Sequence, residues 1–106
     1  MPERVRVDAV IQAAMDMEAA PFLHELAPLG DAETPDAVLG GSRMTQRFAL
    51  GELEGKSVLV VTSGIGLANA ACATARALAL VDTPVVIAAG TAGGLAGDIN
   101  VGDIAA

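Results

Sequence analysis

The segment SVLVVT-SGIG-LANAACATARALAL, Ser57–Leu80, decides the fold. Ser57–Thr62 is a short, mostly β-branched apolar run, the pattern of a strand buried on both faces. Ser63-Gly64-Ile65-Gly66 is a tight loop whose glycines permit an abrupt change of direction. Leu67–Leu80 is Ala-rich, long enough for a helix, and stopped by Asp82 and Pro84. A strand, a tight turn and a helix in that order form half of a parallel α/β unit.

The flanks extend the same unit. Upstream, Met44–Leu50 reads as a strand and Gly51–Lys56, GELEGK, as its end and a turn, making a hairpin with Ser57–Thr62. Downstream, Val85–Ala89 is a further apolar strand, Gly90–Gly97 a Gly-rich loop, and Ile99–Ala106 the approach to another strand. Near the N-terminus, Val5–Ala14 alternates and then turns almost wholly apolar, which predicts one buried strand. Asp16 caps or opens a helix, and Met17, Ala20, Phe22, Leu23 and Leu26 recur at the spacing of one buried face. Pro21 falls near its first turn, where a missing N–H is tolerated, and Pro28 and Gly30 close it. Asp31–Ser42, with Pro35, Gly40 and Gly41, reads as a surface loop. The expected fold class is α/β: a mixed central sheet with parallel inner strands and flanking helices.

Composition narrows what such a chain does. It has 106 residues, 53% of them hydrophobic, so it is one domain or part of one and not a disordered chain. A single Cys excludes a disulfide framework and a Cys-based zinc site within the chain. A net charge of −7 argues against nucleic acid and against an anionic membrane surface. Two Phe and no Trp or Tyr remove the stacking platforms of single-strand binders. The most apolar stretch, Ile65–Leu80, carries Asn69, Thr74 and Arg76 and is too short to span a membrane. No signal peptide is evident, so a cytoplasmic protein is expected. With so few rings, tight contact between small residues must supply the core.

In a parallel sheet, ligands bind beyond the carboxyl ends of the strands. Three such ends are legible: Ala13–Glu18, Thr62–Gly66 and Gly90–Gly94. Gly64-Ile65-Gly66 begins like a dinucleotide fingerprint, but Asn69 replaces the third glycine and only Asp82 offers the later carboxylate. The absence of Gly-Lys-Ser/Thr excludes a P-loop. Acids at Asp16 and Glu18 suit the positive end of a helix, and Glu18 can also turn back toward the strand ends. His24 belongs to a solvated face and Cys72 to core packing. Arg43 and Arg47 suit a solvated edge strand, or bind an anion.

Three segments together carry a resemblance: Ala14-Met15-Asp16-Met17-Glu18; Ser63-Gly64-Ile65-Gly66-Leu67-Ala68-Asn69-Ala70-Ala71; and Gly90-Thr91-Ala92-Gly93-Gly94-Leu95, followed by Val101-Gly102-Asp103-Ile104. In order and spacing they resemble the nucleoside phosphorylase/nucleosidase superfamily, and most closely its branch of methylthioadenosine/S-adenosylhomocysteine nucleosidases. The resemblance implies a three-layer α/β sandwich of which residues 1–106 are the N-terminal part, truncated at the C-terminus. It implies cleavage of a nucleoside's N-glycosidic bond. That reaction passes through a ribosyl cation-like state, so a carboxylate must orient or deprotonate the attacking water. By resemblance that carboxylate is Glu18. Met15 lines the sugar and its 5′ side, Ile65 touches a 5′-alkylthio group, Thr91 stands where the family often has Ser, and Ala92 and Gly93 border sugar and base.

Within the superfamily, phosphorylases carry a Gly-Asp-Pro-x-Arg-like loop after the first strand. Here Met15-Asp16-Met17-Glu18-Ala19 has no Arg, and a carboxylate suits water better than phosphate. Gln12 departs from the branch's pattern. The acid that protonates the purine lies in the family's C-terminal half, and neither Asp98 nor Asp103 replaces it by motif; a chain complete at Ala106 is therefore expected to be inactive. The alternatives are a phosphorylase, a futalosine- or AMP-type nucleosidase, and a nucleoside-binding or structural fragment without turnover. The resemblance further implies a homodimer, a small-molecule nucleoside as substrate, and no metal or cofactor.

Overall fold

The computed structural model describes residues 4–27 and 46–106. The elements are β1 (Val5–Arg6), β2 (Ala9–Ala13), α1 (Asp16–Glu25), β3 (Arg47–Leu53), β4 (Lys56–Thr62), α2 (Leu67–Leu80), β5 (Val81–Asp82) and β6 (Val86–Ala88). The main sheet runs β3-β4-β2-β6. β2 is parallel to both β4 and β6, and β3 is antiparallel to β4. The sheet is mixed with parallel inner strands, as the pattern predicts.

β4 shows why a continuous apolar run makes an inner strand. Val58 and Val60 face α1 with Ile11, Ala13 and Ala19, while Leu59 and Val61 face α2 with Val7, Val10, Phe48, Ala73 and Ala77. Alternate residues thus feed two cores, one on each face, and none of the four positions Val58–Val61 is left for a polar side chain. The helices close to the sheet through alanines: Ala19 and Ala73 are fully buried. Small side chains let the layers approach without large rings.

The expected strand Val5–Ala14 is two strands. Val5 and Arg6 pair with Val81 and Asp82 of β5, in a two-stranded sheet of their own. The chain changes partner at Val7 and Asp8. The Val7 N–H still donates to the Asp82 carbonyl at 2.9 Å, whereas the Asp8 N–H donates to the Ser57 carbonyl at 2.8 Å. The Asp8 carboxylate fixes the switch by accepting from the Ser57 N–H and hydroxyl at 2.9 and 3.2 Å. Periodicity cannot reveal such a change of partner, because both halves are extended.

Helix α1 turns only part of the expected face inward, shifted toward Ala19. Ala19 is fully buried, with Phe22 and Leu26 against the same core, whereas Met17 is 72% exposed and Leu23 lies at the margin. Met15 is the N-cap and Asp16 the first helical residue. Pro21 lies on the second turn, not the first; it and Met17 are both exposed, so water can serve the carbonyl that loses its partner. The helix ends at Glu25, and Pro28, Gly30 and the loop Asp31–Ser42 lie outside the described residues.

Helix α2 spans the predicted Leu67–Leu80. Cys72, assigned to core packing, is exposed, because the buried face is Ala73 and Ala77 and Cys72 stands about 100° round from it. β3 begins at Arg47 and ends at Leu53, within the expected Gly51–Lys56; Arg43 and Met44 lie outside the described residues. β6 is shorter than Val85–Ala89, though the Val85 carbonyl and the Ala89 N–H still bond to β2. Ile99–Ala106 forms no strand. Turns close between Ala96 and Ile99 and between Asn100 and Asp103, and Gly102 adopts φ +95°. Without a ladder partner an apolar run does not become a strand.

Candidate active site

The parallel register brings the strand ends level. Ala13 of β2 lies opposite Thr62 of β4, and Gln12 lies opposite Ala88 of β6. The following residues stay in register: the Ser63 N–H donates to the Ala13 carbonyl at 2.9 Å and the Gly64 N–H to the Ala14 carbonyl at 3.0 Å. The three expected segments therefore meet at one edge of the sheet. Ser63, though hydroxylic, is buried, and its Oγ donates to the Gly64 carbonyl at 2.8 Å.

Glu18 is the hub of that edge. It occupies the third position of α1, one turn from the N-cap, so its carboxylate folds back over the strand ends. One oxygen, Oε1, accepts the Met15 N–H at 3.2 Å, which is half of a capping box. The other, Oε2, accepts both the N–H and the hydroxyl of Thr91, each at 2.7 Å, from the loop after β6. Seventy-three residues of sequence separate these partners. The Thr91 hydroxyl and N–H, followed by the N–H groups of Met15 and Ala14, hold the Glu18 carboxyl below its ordinary range. It is therefore ionised at neutral pH.

Gly90 makes the approach possible. A Cβ there would stand 3.1 Å from Oε2 of Glu18, tight enough that the carboxylate would have to shift. Among the described residues, Gln12, Ala14, Ser63, Ala71, Gly90 and Thr91 line a groove of about 880 Å³ that opens beside this pair. Ile65 stands 71% exposed in the loop between β4 and α2. Ala92 and Gly93 continue from Thr91 as open loop, and a Cβ on Gly93 would meet nothing within 4 Å. Met15, Glu18 and Thr91 are thus joined by hydrogen bonds; Ile65 is one residue removed from the Gly64–Ala14 contact; Ala92 and Gly93 are not joined to the carboxylate.

The profile of the phosphorylase superfamily matches residues 8–106. The chain belongs to the phosphorylase superfamily. It is 34% identical over 94 residues to the 5′-methylthioadenosine/S-adenosylhomocysteine nucleosidase of Oceanobacillus iheyensis, which covers 89% of this chain and 37% of that protein. With the enzyme of the same name from Anoxybacillus flavithermus it shares 47% identity over 57 residues, 54% of this chain and 25% of the relative. Among solved structures, the 5′-methylthioadenosine/S-adenosylhomocysteine nucleosidase of Neisseria meningitidis, in complex with methylthio-immucillin-A, superposes with a TM-score of 0.67 at 31% identity. That match covers 91% of this chain and 38% of the other. The chain thus spans between about a quarter and two fifths of the length of these relatives.

Within this superfamily member, other residues take the roles that their surroundings permit. His24 is exposed near the end of α1, as a solvated position should be. Asp103 is spent locally, its carboxylate accepting the Asn100 N–H at 2.8 Å, and Asp98 is exposed in the neighbouring turn. Arg47 starts the edge strand β3 and approaches Asp16 at 3.7 Å, with both side chains largely exposed. Sequence reasoning missed two groups. Gly90 was legible only as the first glycine of a loop, and its role needs Glu18 beside it. The Arg47–Asp16 contact crosses from β3 to α1, and no spacing rule announces it.

No helix among the described residues is long and apolar enough to cross a membrane. Among them, no cluster of three or more His, Cys, Asp or Glu is placed to hold a metal ion.

Proposed function

We propose that this chain carries the water-handling side of an N-glycosidase site acting on adenine thionucleosides such as 5′-methylthioadenosine and S-adenosylhomocysteine. The observation that carries the reading is the Glu18–Thr91 pair at the carboxyl ends of the parallel strands. The relatives' names support the substrate class.

The chemistry follows from the charge state. Breaking the bond between ribose and base leaves positive charge on the sugar, and water must attack that carbon. A carboxylate that stays ionised stabilises the developing cation and orients the water. Because its hydrogen bonds lower its basicity, Glu18 is better suited to orienting water and accepting a proton late than to removing one early. The Thr91 hydroxyl spends its hydrogen on Glu18, so its oxygen is left to accept from the water or from a ribose hydroxyl. Met15, at the start of α1, and Ile65, in the adjacent loop, are assigned the sugar and 5′ side; Ala92 and Gly93 are assigned the border of sugar and base. Residues 1–106 then form the N-terminal part of one such domain, and a cytoplasmic homodimer fits the reading.

Adenine release from methylthioadenosine, with and without phosphate, tests the proposal. Release independent of phosphate, falling roughly 10²–10⁴-fold in Glu18→Gln, is the expected result. Release that requires phosphate would favour a phosphorylase, for which Arg47 beside Asp16 is a candidate cation. Nucleoside binding without release would leave a binding module.

A further inference from the structure

Three side-chain amides converge on the first turns of α2; Gln12 also lines the groove described above, whereas Gln46 and Asn69 lie outside its lining. Gln12 interrupts the otherwise apolar β2; its Nε2 donates to the Ala70 carbonyl at 3.1 Å and its Oε1 accepts the Thr74 hydroxyl. Gln46, 4% exposed just before β3, donates from Nε2 to the Asn69 carbonyl at 3.3 Å and accepts from Arg76 at 2.7 Å. Asn69 turns its own Nδ2 back onto the Ile65 carbonyl at 2.8 Å. Two consecutive carbonyls of α2 are thus held, one from β2 and one from the residue before β3, and the Asn69 side chain reaches Ile65. A carbonyl has two lone pairs, so these bonds need not displace the helix's own.

Ile65 needs such support. Gly64 and Gly66 on either side adopt φ +85° and +104°, a region where glycine has wide freedom. Ile65 is mostly exposed, so packing does not locate it either. What holds it is the Gly64–Ala14 hydrogen bond on one side and Asn69 on the other. A Cβ on Gly64 would stand 3.1 Å from the Asn69 amide, so the loop and Asn69 are closely fitted. Burying amides where Val or Leu would fill the layer costs stability unless every polar atom is bonded, and here the bonds run toward the loop.

The geometry points to Gln12, Gln46 and Asn69 as a positioning brace for Ile65, and through it for the pocket that receives the substrate's 5′ substituent. This rests on the nucleosidase reading above. The brace lies on the α2 side, whereas Glu18 and Thr91 sit on α1 and the loop after β6. Loosening it therefore weakens recognition of a 5′-alkylthio group and leaves bond cleavage itself unchanged.

The test uses Asn69→Ala, Asn69→Ser and Gln46→Leu in the whole protein that carries this chain. In the Ala and Leu variants, KM for methylthioadenosine rises about tenfold with kcat unchanged, while KM for adenosine, which lacks the alkylthio group, barely moves. Amide hydrogen exchange over residues 64–68 quickens about tenfold, with Leu59–Val61 unaffected. Asn69→Ser, whose hydroxyl can donate to the carbonyl four residues back, restores both readouts. Equal loss for the two substrates, or exchange unchanged in Asn69→Ala, overturns the brace. Because Asn69 is exposed, that variant carries the test if Gln46→Leu fails to fold. If the whole unsubstituted protein releases adenine from neither substrate, the nucleosidase reading falls, and the exchange measurement alone decides the brace.

Discussion

Thr91 places two donors on one oxygen of Glu18, and the consequence is a pH dependence with a definite sign. The carboxyl is held below its ordinary range, so the working, ionised form persists into acid. In Thr91→Val the hydroxyl is lost and the N–H remains. The acid limb of adenine release should then move to higher pH, with roughly tenfold lower activity at neutral pH, while Thr91→Ser keeps the native profile. A pH–rate profile of the three proteins checks this, and an unmoved limb would separate Thr91 from the ionisation of Glu18. At this scale much was legible. The MDME segment placed Glu18 near the strand ends, and the resemblance placed Thr91 in the site. That Thr91 bonds Glu18 through both its N–H and its hydroxyl was not legible, because it depends on how two distant loops meet.

Elements follow sequence where one neighbour decides their environment. β4 and α2 came out as read, since each has a strong period and clear terminators. β1 and β2 did not, since the break between them is a change of partner at Asp8 rather than a change of conformation. The inward face of α1 was legible only in part because Met17 and Leu23 are apolar yet stand off the line of Ala19, Phe22 and Leu26. β3 extends through Gly51, a residue that usually weakens a strand. Here the α1 terminus crosses it: a Cβ at Gly51 would stand 2.5 Å from both the Ala27 carbonyl oxygen and Leu26 Cγ. Gly51→Ala should therefore cost about 1–3 kcal/mol in denaturant unfolding. A neutral result would show that the α1 terminus yields without loss.

Across the whole molecule, two carboxylates tie distant parts of the chain together. Asp8 holds β2 to Ser57 of β4, and Glu18 holds α1 to the loop after β6. Both are held below their ordinary values of 3.8 and 4.5, Asp8 chiefly by the Ser57 N–H and hydroxyl. Groups of this sign stabilise the fold above their unfolded pKa, and that contribution is lost as pH falls through the folded one. The denaturant midpoint should stay level from neutral pH down to the ordinary carboxylate range and decline below it, and Asp8→Asn should flatten part of that decline. A decline equally steep in the variant would remove Asp8 from the account. The α/β class, the mixed sheet and the three segments that meet at its edge are legible along the chain, because strand and helix periods and glycine-marked turns are local properties. Packing was needed to divide the first strand at Asp8, to clear space for Glu18 at Gly90, and to bring Gln12 of β2 and Gln46 before β3 onto the helix turn whose Asn69 reaches the Ile65 loop. Each of these depends on which distant backbone comes within hydrogen-bonding reach, and that is a property of packing rather than of spacing.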